Sequence, residues 1–287
     1  MVLVVGELLI DMVTTEIVTD LSKAKTLEVK VGGSAANFAS FCQKQGANVR
    51  FIASIGQDGF GDIAVHNLQQ SSLTIDHINR LPHQFTSVII VSKSHGTPEF
   101  IPYRDADNNI EPINDQLIEE CDVIHTTAFA LSKQPAQNNI LAAFEKARKA
   151  KKLTSLDWNY AEKIWGANNT AHEVFNKVIS YQPLLKISMD DAHRFWQFGN
   201  DIEQAKTILD KYKIDSICLT NGAGGVYYKT NGSWKHKPTL PTNVIDVTGA
   251  GDAFWSGFIT SYIINGSVES AIDNALFMAK ERLEQRI

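Results

Sequence analysis

The sequence is poor in cysteine, and the few it has exclude two kinds of architecture. Cys42, Cys121 and Cys218 are odd in number, widely spaced and outside any CxxC pair, so neither a disulfide framework nor a thiolate zinc site is indicated. That usage fits a reducing compartment, and the expected location is the cytoplasm. Basic tracts are missing too. With 27 Lys and Arg against 32 Asp and Glu, the net charge is −5, and no run of cations supplies the phosphate-neutralising footprint of a nucleic-acid binder. The densest basic stretch, residues 146–152, reads as the solvated C-terminal end of a helix. No apolar run is long enough to span a membrane. Residues 1–10 are broken by Gly6 and Glu7 and lack a basic lead-in, so they are not read as a signal peptide. The pattern GxxxxGK[ST] does not occur, which excludes a Walker-type phosphate loop. The eight histidines show no metal-ligand spacing. The expected partner is a small molecule.

What is there is ordinary globular material, 44% hydrophobic and 21% charged, and long enough to bury a sizeable core. Short β-branched runs at residues 2–6, 49–55, 122–127, 153–157 and 216–220 alternate with helical patterns at 34–45, 134–151 and 201–213. The alternation predicts an α/β fold, a doubly wound and mostly parallel sheet flanked by helices on both faces. Two segments break the rhythm. Residues 12–31 and 85–104 read as extended pairs with polar turns and no helix of crossover length, and are expected to form a small antiparallel flap, or lid. No repeat or linker divides the chain, so residues 1–287 are read as one domain carrying that lid.

The strongest chemical signal is Asp246-Val-Thr-Gly-Ala-Gly-Asp252-Ala-Phe-Trp-Ser-Gly-Phe258, a strand end running through Gly249, Ala250 and Gly251 into an apolar helix. A glycine-rich helix start presents free backbone N–H groups and the positive end of the helix dipole, a natural seat for phosphate. An aspartate in that first turn stands where it can take a proton from a hydroxyl attacking a γ-phosphate. On the motif alone, a tight turn with Asp252 as a helix cap explains the same residues equally well. A second signal is Val31-Gly-Gly-Ser-Ala-Ala-Asn37-Phe-Ala-Ser-Phe, followed by Gly46 and Ser54-Ile-Gly56. Paired glycines let a ligand approach the backbone, and Asn37 can both donate to and accept from a polyol. A small-residue helix packed on the sheet is the plainer account. Gly59-Phe-Gly-Asp-Ile-Ala64 loosely fits a dinucleotide fingerprint, with Asp76 downstream, but the match is short.

The two main signatures, correctly ordered and spaced, resemble those of the ribokinase-like, or PfkB, carbohydrate kinases, and the resemblance runs over nearly the whole chain. It implies Asp252 as the catalytic base and the N–H groups of Gly249, Ala250 and Gly251 as the anion hole. It further implies Asp11 as the grip on two sugar hydroxyls, with Gly33 and Asn37 as further sugar contacts. Arg104, in Pro-Tyr-Arg104, matches an arginine that reaches the sugar in fructokinase-like and 2-keto-3-deoxygluconate kinase-like members. Thr220, Gly222, Gly225 and Thr248 fall on the nucleotide side, with Asn274 near the adenine. Two positions depart from the pattern. Ala161, in Asp157-Trp-Asn159-Tyr-Ala161, stands where arginine is common. Ser188-Met-Asp-Asp191 stands where the family has Asn-x-x-Glu, a motif tied to magnesium and phosphate; Asp191 keeps the carboxylate, for Mg2+ through water.

The reading is therefore an ATP-dependent kinase that phosphorylates a hydroxyl of a small sugar, with ATP and Mg2+ and, in some relatives, a monovalent cation beside Asp246. The Gly6-Glu7 opening, the form of the Asn37 motif and the Arg104 segment point to the fructokinase-like subgroup and to fructose. The alternatives are 2-keto-3-deoxygluconate and then a nucleoside. A sugar-binding sensor on a kinase scaffold is the alternative from another class, suggested by Ala161 and Ser188 and opposed by the intact Gly-Ala-Gly-Asp252. Unpaired lid edges are candidate homodimer surfaces.

Overall fold

The computed structural model describes residues 1–94, 99–166, 170–199 and 201–287. Residues 95–98 of the expected lid lie outside them. The strands, in chain order, are β1 (Val2–Val5), β2 (Leu9–Ile17), β3 (Leu27–Gly32), β4 (Val49–Gly56), β5 (Ile78–Leu81), β6 (Val88–Lys93), β7 (Phe100–Tyr103), β8 (Val123–Thr127), β9 (Leu153–Asp157), β10 (Leu184–Ser188), β11 (Ile217–Thr220), β12 (Val226–Thr230) and β13 (Ser233–Lys237). The helices are α1 (Ser34–Lys44), α2 (Gly59–Gln70), α3 (Asp115–Glu120), α4 (Ala136–Lys149), α5 (Glu162–Trp165), α6 (Ala171–Ile179), α7 (Met189–Trp196), α8 (Ile202–Asp210), α9 (Ala250–Asn265) and α10 (Val268–Leu283).

Nine strands form the main sheet in the order β13-β12-β11-β10-β9-β8-β1-β4-β5. From β11 to β5 every neighbour is parallel, and the β12–β13 hairpin closes one edge antiparallel. The alternation of side chains along β1 explains why helices cover both faces. Leu3 and Val5 pack into one buried cluster with Trp158, Phe144 and Phe175, while Val2 and Val4 pack into another with Phe38, Trp255 and Phe258. Trp158 and Trp255 are fully buried, so both are core residues.

Residues of the second cluster carry the reactive segments. Helix α9 is buried at every position from Asp252 to Ser261, because α1, α10 and the sheet enclose it. Gly257 permits this enclosure, since a Cβ there would lie 2.8 Å from the Asn274 carbonyl oxygen. Helix α1 starts at Gly33, whose φ of 105° is open to glycine alone and which offers no side-chain cap. The cap comes from afar instead: Glu7, in the β1–β2 turn, accepts the Ala35 N–H through Oε1 at 3.2 Å.

The second sheet has the order β3-β2-β6-β7 and sits against the β4–α2 side. Its strands fall in the two segments that break the sequence rhythm, although β2 starts earlier, at Leu9. The pairing differs from the expected antiparallel flap. β2–β3 and β6–β7 are antiparallel, but β2 and β6 join the two pairs in parallel. The long excursion from β3 through α1, β4, α2 and β5 returns β6 alongside β2, which no local pattern reveals.

Candidate active site

The parallel strands end on one side of the sheet, where the loops after β1, β9, β10 and β11 meet the starts of α1 and α9. Asp252 lies in the first turn of α9 and is buried. Its Oδ2 accepts a hydrogen bond from Asn37 Nδ2 at 2.9 Å, so the two sequence signatures converge on one carboxylate. Burial raises the Asp252 pKa to about 6; the Lys186 ammonium and the Asn37 amide pull it down, and the Glu7 carboxylate pushes it up. A carboxylate poised there accepts protons better near neutral pH than an ordinary aspartate does.

The helix start presents the free donors expected of an anion seat, with one difference in which residues supply them. Gly249 is left-handed, with φ of 73°. The Ala250 N–H is spent on the Val247 carbonyl at 3.2 Å, whereas the N–H groups of Gly249, Gly251 and Asp252 have no acceptor among the described residues. Asp252 thus replaces Ala250 as the third free donor, because the turn that leads into the helix consumes the Ala250 hydrogen.

Among the residues expected to meet a sugar, Asp11 projects from β2 against Gly32, where a Cβ would lie 2.1 Å from Oδ2. Burial raises the Asp11 pKa to about 6, with Lys30 opposing. Gly33 lets α1 pass close to the β1–β2 turn, since a Cβ would sit 2.5 Å from the Glu7 carbonyl. Arg104 is placed differently from a free sugar ligand. Its Nε lies 3.0 Å from Asp107 Oδ2, a second nitrogen reaches the same oxygen, another meets Ser132, and the guanidinium stacks 4.0 Å from the Phe129 ring centre. It lines an open cleft of about 620 Å³ together with Asp58, Phe85, Thr86, Tyr103 and Asp105. That cleft lies at the lid and does not include Asp252.

Of the two departures from the expected pattern, that at Ser188 has a local explanation, and nothing in the structure explains Ala161. Ser188 caps α7: its Oγ accepts the Asp191 N–H at 3.0 Å and donates to Asp191 Oδ2 at 2.6 Å. Asp191 Oδ1 meets Arg194 at 2.5 Å, so both oxygens are engaged within the helix. Ala161 precedes α5, and Asn159 before it bridges Ser34 of α1, at 2.9 Å, to the Phe129 N–H, at 3.3 Å.

Among the residues expected to meet the nucleotide, Thr220 ends β11 and the 221–225 turn follows. Gly225 there has φ of 88° and a Cβ would lie 2.2 Å from the Lys237 carbonyl. Thr248 donates its N–H to Asp246 Oδ1 at 2.9 Å, and Arg282 holds Asp246 Oδ2 at 3.0 Å. Asn274 is not in this group: its amide is spent on Gln45 Oε1, at 3.0 Å, and the Gly257 carbonyl, at 2.8 Å, between α10, α1 and α9.

Two residues were given no place in the site by the sequence. Glu7 is buried, accepts from Thr127 Oγ1 at 2.7 Å as well as from Ala35, and burial raises its pKa to about 7. A lone carboxylate inside the apolar opening was its only signal. Lys186 is buried in β10 with Nζ 2.8 Å from Asp157 Oδ2. Among the described residues no group of three or more His, Cys, Asp or Glu side chains forms a metal cage. The buried Asp157 Oδ1, which has no hydrogen-bond partner among the described residues, suits a metal-bound water.

Comparison with known proteins bears on this arrangement directly. Residues 1–286 match the model of the pfkB family of carbohydrate kinases. An ATP-dependent 6-phosphofructokinase of Thermoanaerobacterium thermosaccharolyticum is 32% identical over 95% of this chain and 84% of its own. A probable fructokinase-5 of Arabidopsis thaliana is 28% identical over 96% and 87%. The structure of the fructokinase of Halothermothrix orenii superposes with a TM-score of 0.87 at 29% identity, covering 97% of both chains.

Proposed function

Because this chain belongs to the pfkB family of carbohydrate kinases, we propose that it transfers the γ-phosphoryl group of ATP to a hydroxyl of fructose, with Asp252 as the base. The observation that carries this reading is the convergence of Asn37 on Asp252 at a helix start with three unspent N–H donors. Asp11, Gly33 and Asn37 orient the sugar so that one hydroxyl faces Asp252. The hydroxyl proton passes to Asp252, while the N–H groups of Gly249, Gly251 and Asp252 offset charge on the transferring group. Mg2+ bound with the nucleotide would neutralise charge on its phosphates. Asp157 Oδ1, and Asp191 once released from Ser188, would hold it through water. Thr220, Gly222, Gly225 and Thr248 flank the nucleotide. The exposed side chains of Leu240, Val244, Ile245 and Val247 offer an apolar bed for the base.

Fructose is favoured by the charges on the sugar side. Asp11, Asp58 and Asp105 are carboxylates, and Arg104 is committed to Asp107, so an uncharged acceptor fits better than a phosphorylated one. Fructose 6-phosphate is the second reading, favoured by the name of the relative from T. thermosaccharolyticum. The lid closes over the sugar and keeps water from the phosphoryl group. Its exposed Ile17, Leu27, Val29, Ile101 and Tyr103 support a homodimer through this sheet. A monovalent cation beside Asp246 would have to compete with Thr248 and Arg282 for both carboxylate oxygens. Three buried free cysteines are in keeping with a cytoplasmic enzyme; no helix among the described residues is long and apolar enough to cross a membrane.

The test is ADP release from Mg-ATP against fructose, fructose 6-phosphate, 2-keto-3-deoxygluconate, ribose and adenosine. The largest kcat/KM is expected with fructose. A larger value with fructose 6-phosphate would replace the acceptor, and no turnover with any of the five would contradict the kinase assignment.

A further inference from the structure

Lys186 has no part in the chemistry described so far, yet it stands at the reacting end of the site. It is 5% exposed, on a central strand where an apolar residue would pack at no electrostatic cost. Its ammonium meets Asp157 Oδ2 at 2.8 Å. A Cβ on Gly251 would lie 2.9 Å from the same nitrogen, which sets the ammonium against the first turn of α9. An ammonium carries three N–H donors, and Asp157 takes one; no other acceptor meets Nζ among the described residues. The carboxylates of Asp157, Asp191 and Asp252 surround the ammonium with negative charge. The result is an ammonium with spare donors, beside three unspent backbone N–H groups and Asp252.

We propose that Lys186 is a further catalytic residue whose ammonium contacts the γ-phosphoryl group during transfer, forming the sheet-side wall of the seat that Gly249, Gly251 and Asp252 form on the helix side. The proposal rests on the kinase reading above. In the step itself, the sugar hydroxyl oxygen bonds to the γ-phosphorus as the bond from that phosphorus to the β,γ-bridging oxygen breaks. The hydroxyl proton goes to Asp252, and ADP leaves with the bridging electron pair. Lys186 keeps its proton and offsets charge on the non-bridging oxygens, as a compact cation on a flexible stem can do while the phosphorus moves. The missing side chain at Gly251 leaves room for it.

Lys186→Gln tests this, with turnover measured beside calorimetric affinities for Mg-ADP, fructose and Mg-AMP-PNP, an ATP analogue with nitrogen at the β,γ bridge. The analogue affinity is expected to fall about 10-fold or more and kcat about 100-fold or more, with ADP and fructose affinities within about 2-fold of wild type. A second variant, Lys186→Met, keeps the length of the stem and removes every donor, and is expected to show the same selective loss. Parallel loss of ADP and analogue affinity in both variants would reduce Lys186 to a structural role and overturn the proposal. So would an unchanged analogue affinity with kcat near wild type. Wild-type protein that binds neither nucleotide would overturn the kinase reading itself.

Discussion

Asn37 and Asp252 are 215 residues apart in sequence, and the side-chain amide of the first donates to Oδ2 of the second at 2.9 Å. The bond favours the ionised carboxylate, so in the proposed mechanism Asn37 tunes the base as well as facing the sugar. In wild type the acid limb of kcat/KM is expected near pH 6, the value to which burial raises Asp252. Asn37→Ala removes a donor that lowers the pKa, so the limb moves to higher pH, and turnover at pH 6 falls about 10-fold, the worth of one hydrogen bond to a charged group. A pH–rate profile checks this; an unmoved limb would separate Asn37 from the base.

Glu7 ties stability to pH in a sense opposite to that of a salt-bridged carboxylate. Its pKa rises on folding from 4.5 to about 7 because it is buried, so the folded state binds the proton more tightly than the unfolded chain. Stability from this group is complete below about pH 4.5 and is lost as pH rises through about 7. Glu7→Gln keeps the shape and removes the titration. Its stability relative to wild type is expected to increase between pH 5 and pH 8, by roughly 3 kcal/mol at most. Chemical denaturation at the two pH values measures it, and a difference independent of pH would contradict the burial account.

Two glycines with left-handed backbones separate strain from contact. Gly33 has φ of 105° and a Cβ there would meet the Glu7 carbonyl at 2.5 Å; Gly46 has φ of 82° with nothing within 4 Å. Gly46→Ala should cost only the backbone strain, about 1 kcal/mol. Gly33→Ala adds a clash with backbone at the entry to the site and should cost at least about 3 kcal/mol, with a matching loss of sugar affinity. Thermal denaturation of both variants compares them, and equal losses would show that the close approach at Gly33 is relaxed at no cost.

The fold was legible because periodicity is local. The apolar runs of β1, β4, β8, β9 and β11 and the patterns of α1, α4 and α8 announce themselves, and their alternation implies the parallel sheet. The site was legible as far as motifs reach: the Asp252 and Asn37 segments are read from consecutive residues. What stayed hidden depends on contacts that only the folded backbone sets, some of them distant and some local. Lys186 interrupts β10 and looks like a surface charge until Asp157, Asp191 and Asp252 converge on it from β9, α7 and α9. Arg104 reads as a sugar ligand from its motif, while its Asp107 partner is fixed only by the folded lid base. The parallel joint between β2 and β6 spans five intervening elements, and the loss of Ala250 from the anion seat turns on one hydrogen bond to Val247.

The most direct test of the central claim is single-turnover transfer from Mg-ATP to fructose by wild type and by Asp252→Asn, with fructose affinity measured in parallel. The substitution preserves shape and removes the proton acceptor. The account predicts a fall in rate of about 1,000-fold or more with fructose affinity within about 3-fold of wild type. Transfer at a near-normal rate by Asp252→Asn would contradict it and remove Asp252 from the chemistry.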